Sequence, residues 1–153
     1  MKRIFLLALP LLFSAVVFSQ HAAQRLKDYN VEENGLAISG YDPVAYFTLD
    51  KAIQGKKEFA VSFDGLLYYF SSKENKDLFK ESPAKYEPQY GGWCAYAMGS
   101  TGEKVEVDPQ TFKIKDGKLF LFYNKYFNNT LKTWNKNETA LYNQANINWK
   151  KIN

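Results

Sequence analysis

Residues 58–70 have the sequence EFAVSFDGLLYYF, in which two runs rich in apolar, aromatic and β-branched residues flank Asp64-Gly65. Asp-Gly between two such runs is a strong hairpin signal, because this dipeptide suits the positive φ of a type I′ two-residue turn. We therefore predict an antiparallel hairpin with strands at 58–63 and 66–70. The same pattern recurs at 111–122 around Asp116-Gly117, and it predicts a second hairpin.

Helical signals surround these hairpins. The Ser-x-x-Glu spacing at 71–74 is that of a capping box, and it predicts a helix that ends near Ser82-Pro83. Asp42 before Pro43 predicts a helical turn whose apolar residues, Tyr46 and Phe47, enter the core. Weaker patterns predict a helix at 22–30, a short strand at 36–38, and one broken or two consecutive helices at 124–151. The predicted fold class is α+β: a small antiparallel sheet built from two β-hairpins, covered by helices, with C-terminal helices.

The first 19 residues have the pattern of a secretory signal peptide. Met1-Lys2-Arg3 is basic, an apolar run follows from Ile4 to Val17, and Val17 and Ser19 suit cleavage after Ser19. The run is shorter than the roughly 20 residues that cross a bilayer. We expect an exported protein, periplasmic or extracellular, with no stable membrane insertion after cleavage.

The residues after position 19 are predicted to form one domain, at 36–153, preceded by an N-terminal tail or helix at 20–35. Loss of Lys2 and Arg3 lowers the formal charge from +4 to +2, and Lys alternates with Glu and Asp along the chain. Interspersed charges are typical of a solvated surface, so we expect no nucleic-acid partner and no acidic-lipid footprint. The oligomeric state does not follow from the sequence.

The segment QYGGWCAYAMG, residues 89–99, contains the single cysteine of the chain. Cys94 and Met98 lie four residues apart and would share one face of a helix, where a thiolate and a thioether suit Cu(I). We therefore identify Cys94 and Met98 as candidate metal ligands and Tyr90, Trp93 and Tyr96 as candidate ligand-pocket residues. The alternative is that both sulfur side chains are core residues, as buried Cys and Met usually are.

His21 is the single histidine, and it lies in the predicted tail. Cys-His catalysis, Ser-His-Asp triads and His-ligated zinc therefore have no histidine within the predicted domain. Asp42, Glu87 and Asp108 each precede a proline, where turn and capping roles account for them. No catalytic residue is assigned, and the residues favour a binding module over an enzyme. A thiol-dependent redox enzyme using Cys94 remains an alternative, as does an aromatic-lined small-ligand binding protein without metal.

Five motifs, in order, resemble the exported, stand-alone bacterial YHS-domain proteins, from about Leu36 to the C-terminus. They are Gly40–Phe47, Tyr69–Ser72 with Asn75, Pro83–Tyr96, Val107–Pro109 and Asp116–Leu119. Relatives of this short domain are appendages of copper-transporting ATPases and occur in metal-linked contexts, so the resemblance implies metal binding by association only, and copper is a candidate cofactor. Those relatives usually carry more than one cysteine and a Tyr-His-Ser triplet. Here the corresponding stretch is Tyr69-Phe70-Ser71, with Phe in place of His.

Overall fold

The computed structural model describes residues 20–153, and it has the predicted α+β architecture of helices around small antiparallel hairpins. The predicted signal peptide, residues 1–19, lies outside the described residues. The helices are α1 (20–28), α2 (Ala45–Leu49), α3 (Lys73–Glu81), α4 (Pro83–Tyr86), α5 (Ala95–Ser100), α6 (Thr130–Trp134) and α7 (Glu138–Trp149). The strands are β1 (Lys56–Phe63), β2 (Leu66–Phe70), β3 (Asp108–Lys115), β4 (Lys118–Phe122), β5 (Asn124–Lys125) and β6 (Asn128–Asn129). Within residues 20–153, no helix has the length and apolar character needed to span a bilayer.

Both predicted hairpins are confirmed. In β1–β2, Phe63 pairs with Leu66 across Asp64-Gly65, and in β3–β4, Lys115 pairs with Lys118 across Asp116-Gly117. All four turn residues have positive φ, as tight hairpin turns require.

The hairpins form separate two-stranded sheets rather than one sheet. Single parallel bridges attach Leu36 to Leu67 and Pro88 to Leu119 at their edges. The connecting segments therefore reach the hairpins without adding continuous strands to them.

Two apolar clusters form the core. The first, which we call the hairpin cluster, surrounds Phe79 of α3, whose ring lies 4.9 Å from Tyr68 and 5.0 Å from Phe70 by their centroids. The second, the C-terminal cluster, gathers Phe120, Met98 and Trp134 beneath α7. The β3–β4 hairpin joins the two clusters, because Leu119 and Leu121 belong to the first and Phe120 and Phe122 to the second.

Three local predictions need correction. Helix α3 is capped by Ser72, whose hydroxyl accepts from the Asn75 amide, rather than by Ser71. The short strand predicted at 36–38 is reduced to bridges at Leu36 and Ala37, followed by a 3-10 turn over Ile38–Gly40. The chain from 124 begins with the β5–β6 hairpin before α6 and α7, because pairing of Asn124 with Asn129 competes with helix formation there.

The N-terminal segment 20–35 lies against the rest of the domain. Arg25 of α1 is buried and pairs with Asp64 and Glu87, while His21 lies 3.0 Å from an Asp64 carboxylate oxygen. The indole of Trp93 donates to the carbonyl of Asp28 at 2.6 Å. Helix α1 therefore contributes contacts to the same core as the hairpins.

Candidate functional site

The carboxylate of Asp42 is fully buried and accepts hydrogen bonds from two motifs of the sequence. One oxygen accepts from the amides of Val44 and Ala45 and so caps the turn that leads into α2. The other accepts from Ser71, through both its amide and hydroxyl, and from the Asn75 side chain. The acidic residue of the first motif therefore joins it to the second. These hydrogen bonds satisfy both oxygens of the carboxylate. A structural role therefore explains why an acidic residue is buried at position 42.

The other two acidic residues that precede prolines differ from each other. Asp108 accepts from the Gln110 amide at 3.0 Å and from the Thr111 hydroxyl at 2.9 Å, which is the predicted turn role. Glu87 also forms a long-range contact, since one of its oxygens accepts from both Arg25 and the Tyr68 hydroxyl. That ion pair was not foreseen, because nothing local in the sequence links Arg25 to Glu87.

Cys94 is fully buried at the start of α5. Its sulfur accepts from the Tyr123 amide at 3.4 Å and lies 3.4 Å from the Thr130 hydroxyl. Met98 is also fully buried, one helical turn later, and its amide donates to the Cys94 carbonyl at 3.0 Å. The two sulfur residues therefore occupy the predicted spacing, and both are buried, with Met98 in the C-terminal cluster.

The donor set at Cys94 does not fit a three- or four-ligand metal centre. Within residues 20–153, no group of three or more His, Cys, Asp or Glu side chains is placed to hold an ion. Cys94 and Met98 supply two soft donors, which suit two-coordinate Cu(I) alone. Burial of both side chains also means that an ion could reach them only through a local opening of the fold.

Tyr90, Trp93 and Tyr96 contribute to the C-terminal cluster, where Tyr90 is buried and the two others are partly buried. The Tyr90 hydroxyl donates to Asn146 at 3.2 Å, and the Trp93 indole is bound to Asp28. Burial raises the pKa of Tyr90, with a smaller contribution from Tyr142. Core packing thus accounts for the polar ends of Tyr90 and Trp93.

An open cleft lies elsewhere, between the β3–β4 turn and the first turns of α7, and we call it the α7 cleft. Its volume is about 120 Å³. The aromatic walls are Phe120, Trp134 and Tyr142, and the charged lining residues include Lys115, Lys118 and Glu138. The ring of Phe120 lies 5.9 Å from Trp134 and 6.0 Å from Tyr142, by centroids. The chain thus places aromatic faces and ammonium groups around one small volume.

The lysines around the α7 cleft differ in whether a carboxylate pairs with them. Glu138 accepts from Lys113 and Lys115, each at 2.8 Å, and from the Trp134 indole at 2.9 Å. Burial opposes its ionisation, but these hydrogen bonds lower the pKa of Glu138 to about 2. Lys118 instead donates to the Tyr142 hydroxyl at 2.8 Å, and this bond lowers the pKa of Tyr142. Lys118 forms no ion pair with a carboxylate in the part of the chain that the structure describes.

Sequence reasoning missed the α7 cleft because its residues come from a hairpin turn and two helices separated along the chain. The one available signal was the spacing of Trp134, Glu138 and Tyr142, each four residues apart, which places them on one face if the helix is continuous. The break between α6 and α7 falls inside that run.

Comparison with protein-family models finds a match to the YHS domain over residues 43–90. No curated protein and no solved structure matches the chain significantly. The matched segment contains α2, the β1–β2 hairpin and the helices α3 and α4, but no cysteine, histidine or methionine. Cys94 and the α7 cleft both follow it in the sequence. The chain therefore contains a YHS domain, at residues 43–90, and Asp42, immediately before it, binds Ser71, Asn75 and the first helical turn.

Proposed function

We propose that this protein is a YHS-domain binding module that holds a small planar anion in the α7 cleft, without catalysing a reaction. The observation that carries the proposal is Lys118, an ammonium group whose side-chain partner is the Tyr142 hydroxyl rather than a carboxylate, at the edge of an aromatic cleft. A carboxylate ligand would give Lys118 the anionic partner that it lacks among the described residues, and charge-assisted hydrogen bonds are stronger than neutral ones.

The neighbouring lysines support Lys118 as the residue that contacts the anion. Lys113 and Lys115 share the single carboxylate of Glu138, so each has an anionic partner in the protein, whereas Lys118 has none among the described residues. Asp116 lies in the same turn as Lys118 and makes the cleft less positive. We therefore expect recognition of one anionic group rather than a polyanion such as a nucleotide triphosphate.

The size of the cleft limits the ligand to about one ring. A cavity of about 150 Å³ in another protein holds a benzene molecule, and the α7 cleft has about 120 Å³. The ring of Tyr142, which is only partly buried, can contact a planar group by offset or edge-to-face packing. A monocyclic aromatic carboxylate meets both requirements.

The test is a titration of the protein with benzoate, followed by amide chemical shifts in NMR spectra. Benzamide, which has the same shape and no charge, serves as the ligand control. We expect benzoate to perturb residues around Lys118 and Tyr142, and Lys118→Gln to weaken its affinity about tenfold or more, since a charged hydrogen bond is worth about 1.5–3 kcal/mol.

The matched control variant is Lys132→Gln, which removes an exposed lysine of α6. It should leave benzoate affinity unchanged. Equal binding of benzamide and benzoate, or equal effects of the two variants, would contradict recognition by Lys118. Shifts around Tyr96 and Trp93 instead would move the ligand to the pocket predicted from the sequence.

A second candidate is Cu(I) binding at Cys94 and Met98. What supports it is their placement one helical turn apart in α5, together with the general association of YHS domains with copper handling. Two soft donors suit two-coordinate Cu(I). Both side chains are buried, and the sulfur of Cys94 is already in contact with the Tyr123 amide and the Thr130 hydroxyl. We therefore expect Cu(I) to reach this site slowly.

Anaerobic competition with a Cu(I) chelator tests this candidate, with Cys94→Ser and Met98→Leu beside the wild type. One-to-one binding that each variant weakens would support the site. A wild type that takes no copper from the chelator, with a thiol that reacts only after denaturation, would identify Cys94 as a core residue. The same thiol assay tests the thiol-dependent redox alternative, since a buried thiol is inert.

We also propose export, on the strength of the basic, apolar and small-residue pattern of residues 1–19. Expression of the full chain in a bacterium, followed by mass measurement of the protein outside the cytoplasm, tests it. A mature chain that begins at Gln20 would support cleavage after Ser19. Retention of an uncleaved chain in the cytoplasm would overturn the proposal.

A further inference from the structure

The β5–β6 hairpin ends in two exposed aromatic residues, which we call the aromatic tip. Tyr126 is 89% exposed and Phe127 is completely exposed. They occupy both central positions of a two-residue turn, between Lys125 and Asn128, which pair across the hairpin. Large adjacent aromatics in water contribute nothing to the core of this domain.

The backbone at this turn is also unfavourable for its residues. Tyr126 and Phe127 have φ values of 53° and 63°, a left-handed region that aromatic residues rarely adopt. The other two hairpins within residues 20–153 also have positive φ at both turn positions, Asp64-Gly65 and Asp116-Gly117. Those two turns use a dipeptide suited to the geometry. The third turn departs from this pattern, so folding alone does not explain its residues.

The base of the hairpin is held in place. The Asn124 side chain donates to the Thr111 hydroxyl at 2.9 Å, and the Thr130 amide donates to the Tyr123 carbonyl at 3.0 Å. Asn129 accepts from the Leu131 amide and so caps α6. The aromatic tip is therefore presented in a defined orientation, and little conformational entropy would be lost when it contacts a partner.

The stretch around the tip is basic. Residues 117–137 contain four lysines and no Asp or Glu, in contrast to the alternating charges elsewhere. Lys125, next to the tip, is half exposed, and its nearest carboxylate is the exposed Glu106 at 3.8 Å. Such a surface is complementary to an anionic one. The charge pattern of the whole chain predicted no acidic-lipid footprint, and this local stretch is the exception.

We propose that the aromatic tip and Lys125 form a peripheral docking site for an anionic lipid bilayer. Phe127 enters the boundary between headgroups and acyl chains, and Tyr126 keeps its hydroxyl among the headgroups, as aromatic residues do at membrane interfaces. Lys125 contacts anionic headgroups. The contact is reversible and involves no spanning segment, and it does not depend on a ligand in the α7 cleft.

The test uses the double variant Tyr126→Asn/Phe127→Gly and sedimentation with vesicles of phosphatidylcholine, with or without phosphatidylglycerol. Asn-Gly is the dipeptide that this turn geometry favours, so the variant should fold and its Tm should equal or exceed that of the wild type. We expect the wild type to bind the anionic vesicles, and the variant to lose about tenfold or more in partitioning, given the apolar area of two rings.

Two single variants complete the test, one as a control and one that removes the proposed lipid-binding charge. Ile147→Gln removes another exposed apolar side chain, from α7, and should leave partitioning unchanged. Lys125→Gln should weaken binding to anionic vesicles, with a smaller salt dependence than the wild type. Absence of wild-type binding to either vesicle would overturn the proposal. So would self-association that disappears in the double variant, because the tip would then contact a second copy of the chain.

Discussion

At the residue scale, Asp42 shows how a single buried side chain, immediately before the YHS domain, can join two distant segments of that domain. Its two oxygens accept from backbone and side-chain groups on both sides of the β1–β2 hairpin. The sequence predicted one part of this role, the capping of a helical turn. The contacts with Ser71 and Asn75 depend on how the chain returns after the hairpin, and they shift the α3 cap to Ser72.

Replacement of Asp42 by Ala should destabilise the protein strongly. The change leaves Ser71, Asn75 and two amides without their buried acceptor, so we expect the free energy of unfolding to fall by about 3 kcal/mol or more. Urea unfolding at neutral pH measures it. Asp77→Ala, which removes an exposed carboxylate of α3, should change stability little. Equal effects of the two variants would contradict the role of Asp42.

The lowered pKa of Glu138 predicts that the free energy of unfolding depends on pH. Its pKa falls from 4.5 to about 2 on folding, so its contribution to stability is complete above pH 4.5 and is lost as the pH falls through 2. After allowance for solvent screening, that contribution is about 1–2 kcal/mol. Glu138→Gln should therefore be less stable than the wild type at pH 7, and the difference should shrink near pH 2. A difference independent of pH in urea unfolding would refute this.

At the scale of elements, α5 and α7 pack so closely that one glycine determines their distance. A Cβ atom at Gly99 would lie 2.5 Å from the carbonyl oxygen of Leu141, which is backbone and cannot turn aside. The Asn148 side chain also donates to the Met98 carbonyl at 2.8 Å, which ties the end of α5 to α7. A close contact between two backbones does not change the spacing of apolar residues, so the sequence pattern does not predict it.

Gly99→Ala should force α5 and α7 apart. We expect a loss of about 2–3 kcal/mol, at the upper end of what overpacking of a core produces. Gly117→Ala is the matched control, because its Cβ would meet nothing within 4 Å and only its φ of 69° opposes the change. That variant should lose about 1 kcal/mol. Thermal unfolding measures the stability of both variants. If Gly117→Ala is as destabilising as Gly99→Ala, close packing of α5 against α7 at Gly99 is contradicted.

At the scale of the whole molecule, Arg25 connects α1 to the YHS domain. Its guanidinium pairs with Asp64 in the β1–β2 turn and with Glu87 after α4, and it lies 4.5 Å from the Tyr29 ring centre. The segment predicted as a tail or helix thus shares buried contacts with elements far along the chain. We expect α1 to unfold together with the domain.

Arg25→Gln should lower the stability of the whole domain by about 3 kcal/mol, because it leaves two carboxylates without their buried cation. Lys27→Gln, an exposed change in the same helix, should have little effect. Unfolding followed by circular dichroism and by tryptophan fluorescence should give one midpoint in the wild type. A separate early transition for α1 would show that this helix is an independent unit.

The sequence predicted the two Asp-Gly hairpins, the end of α3 and the α+β class, because each depends on signals within a few residues. It did not predict the β5–β6 hairpin, since Tyr126-Phe127 carries no turn signal. The spacing of Cys94 and Met98 was read from the sequence, and their use as ligands stays a prediction. Tertiary packing decided their burial, the joining of Trp134 and Lys118 in the α7 cleft, and the exposure of the aromatic tip. These features depend on which distant elements come together, and hydrophobic contacts between distant elements are non-directional, so no local pattern specifies them.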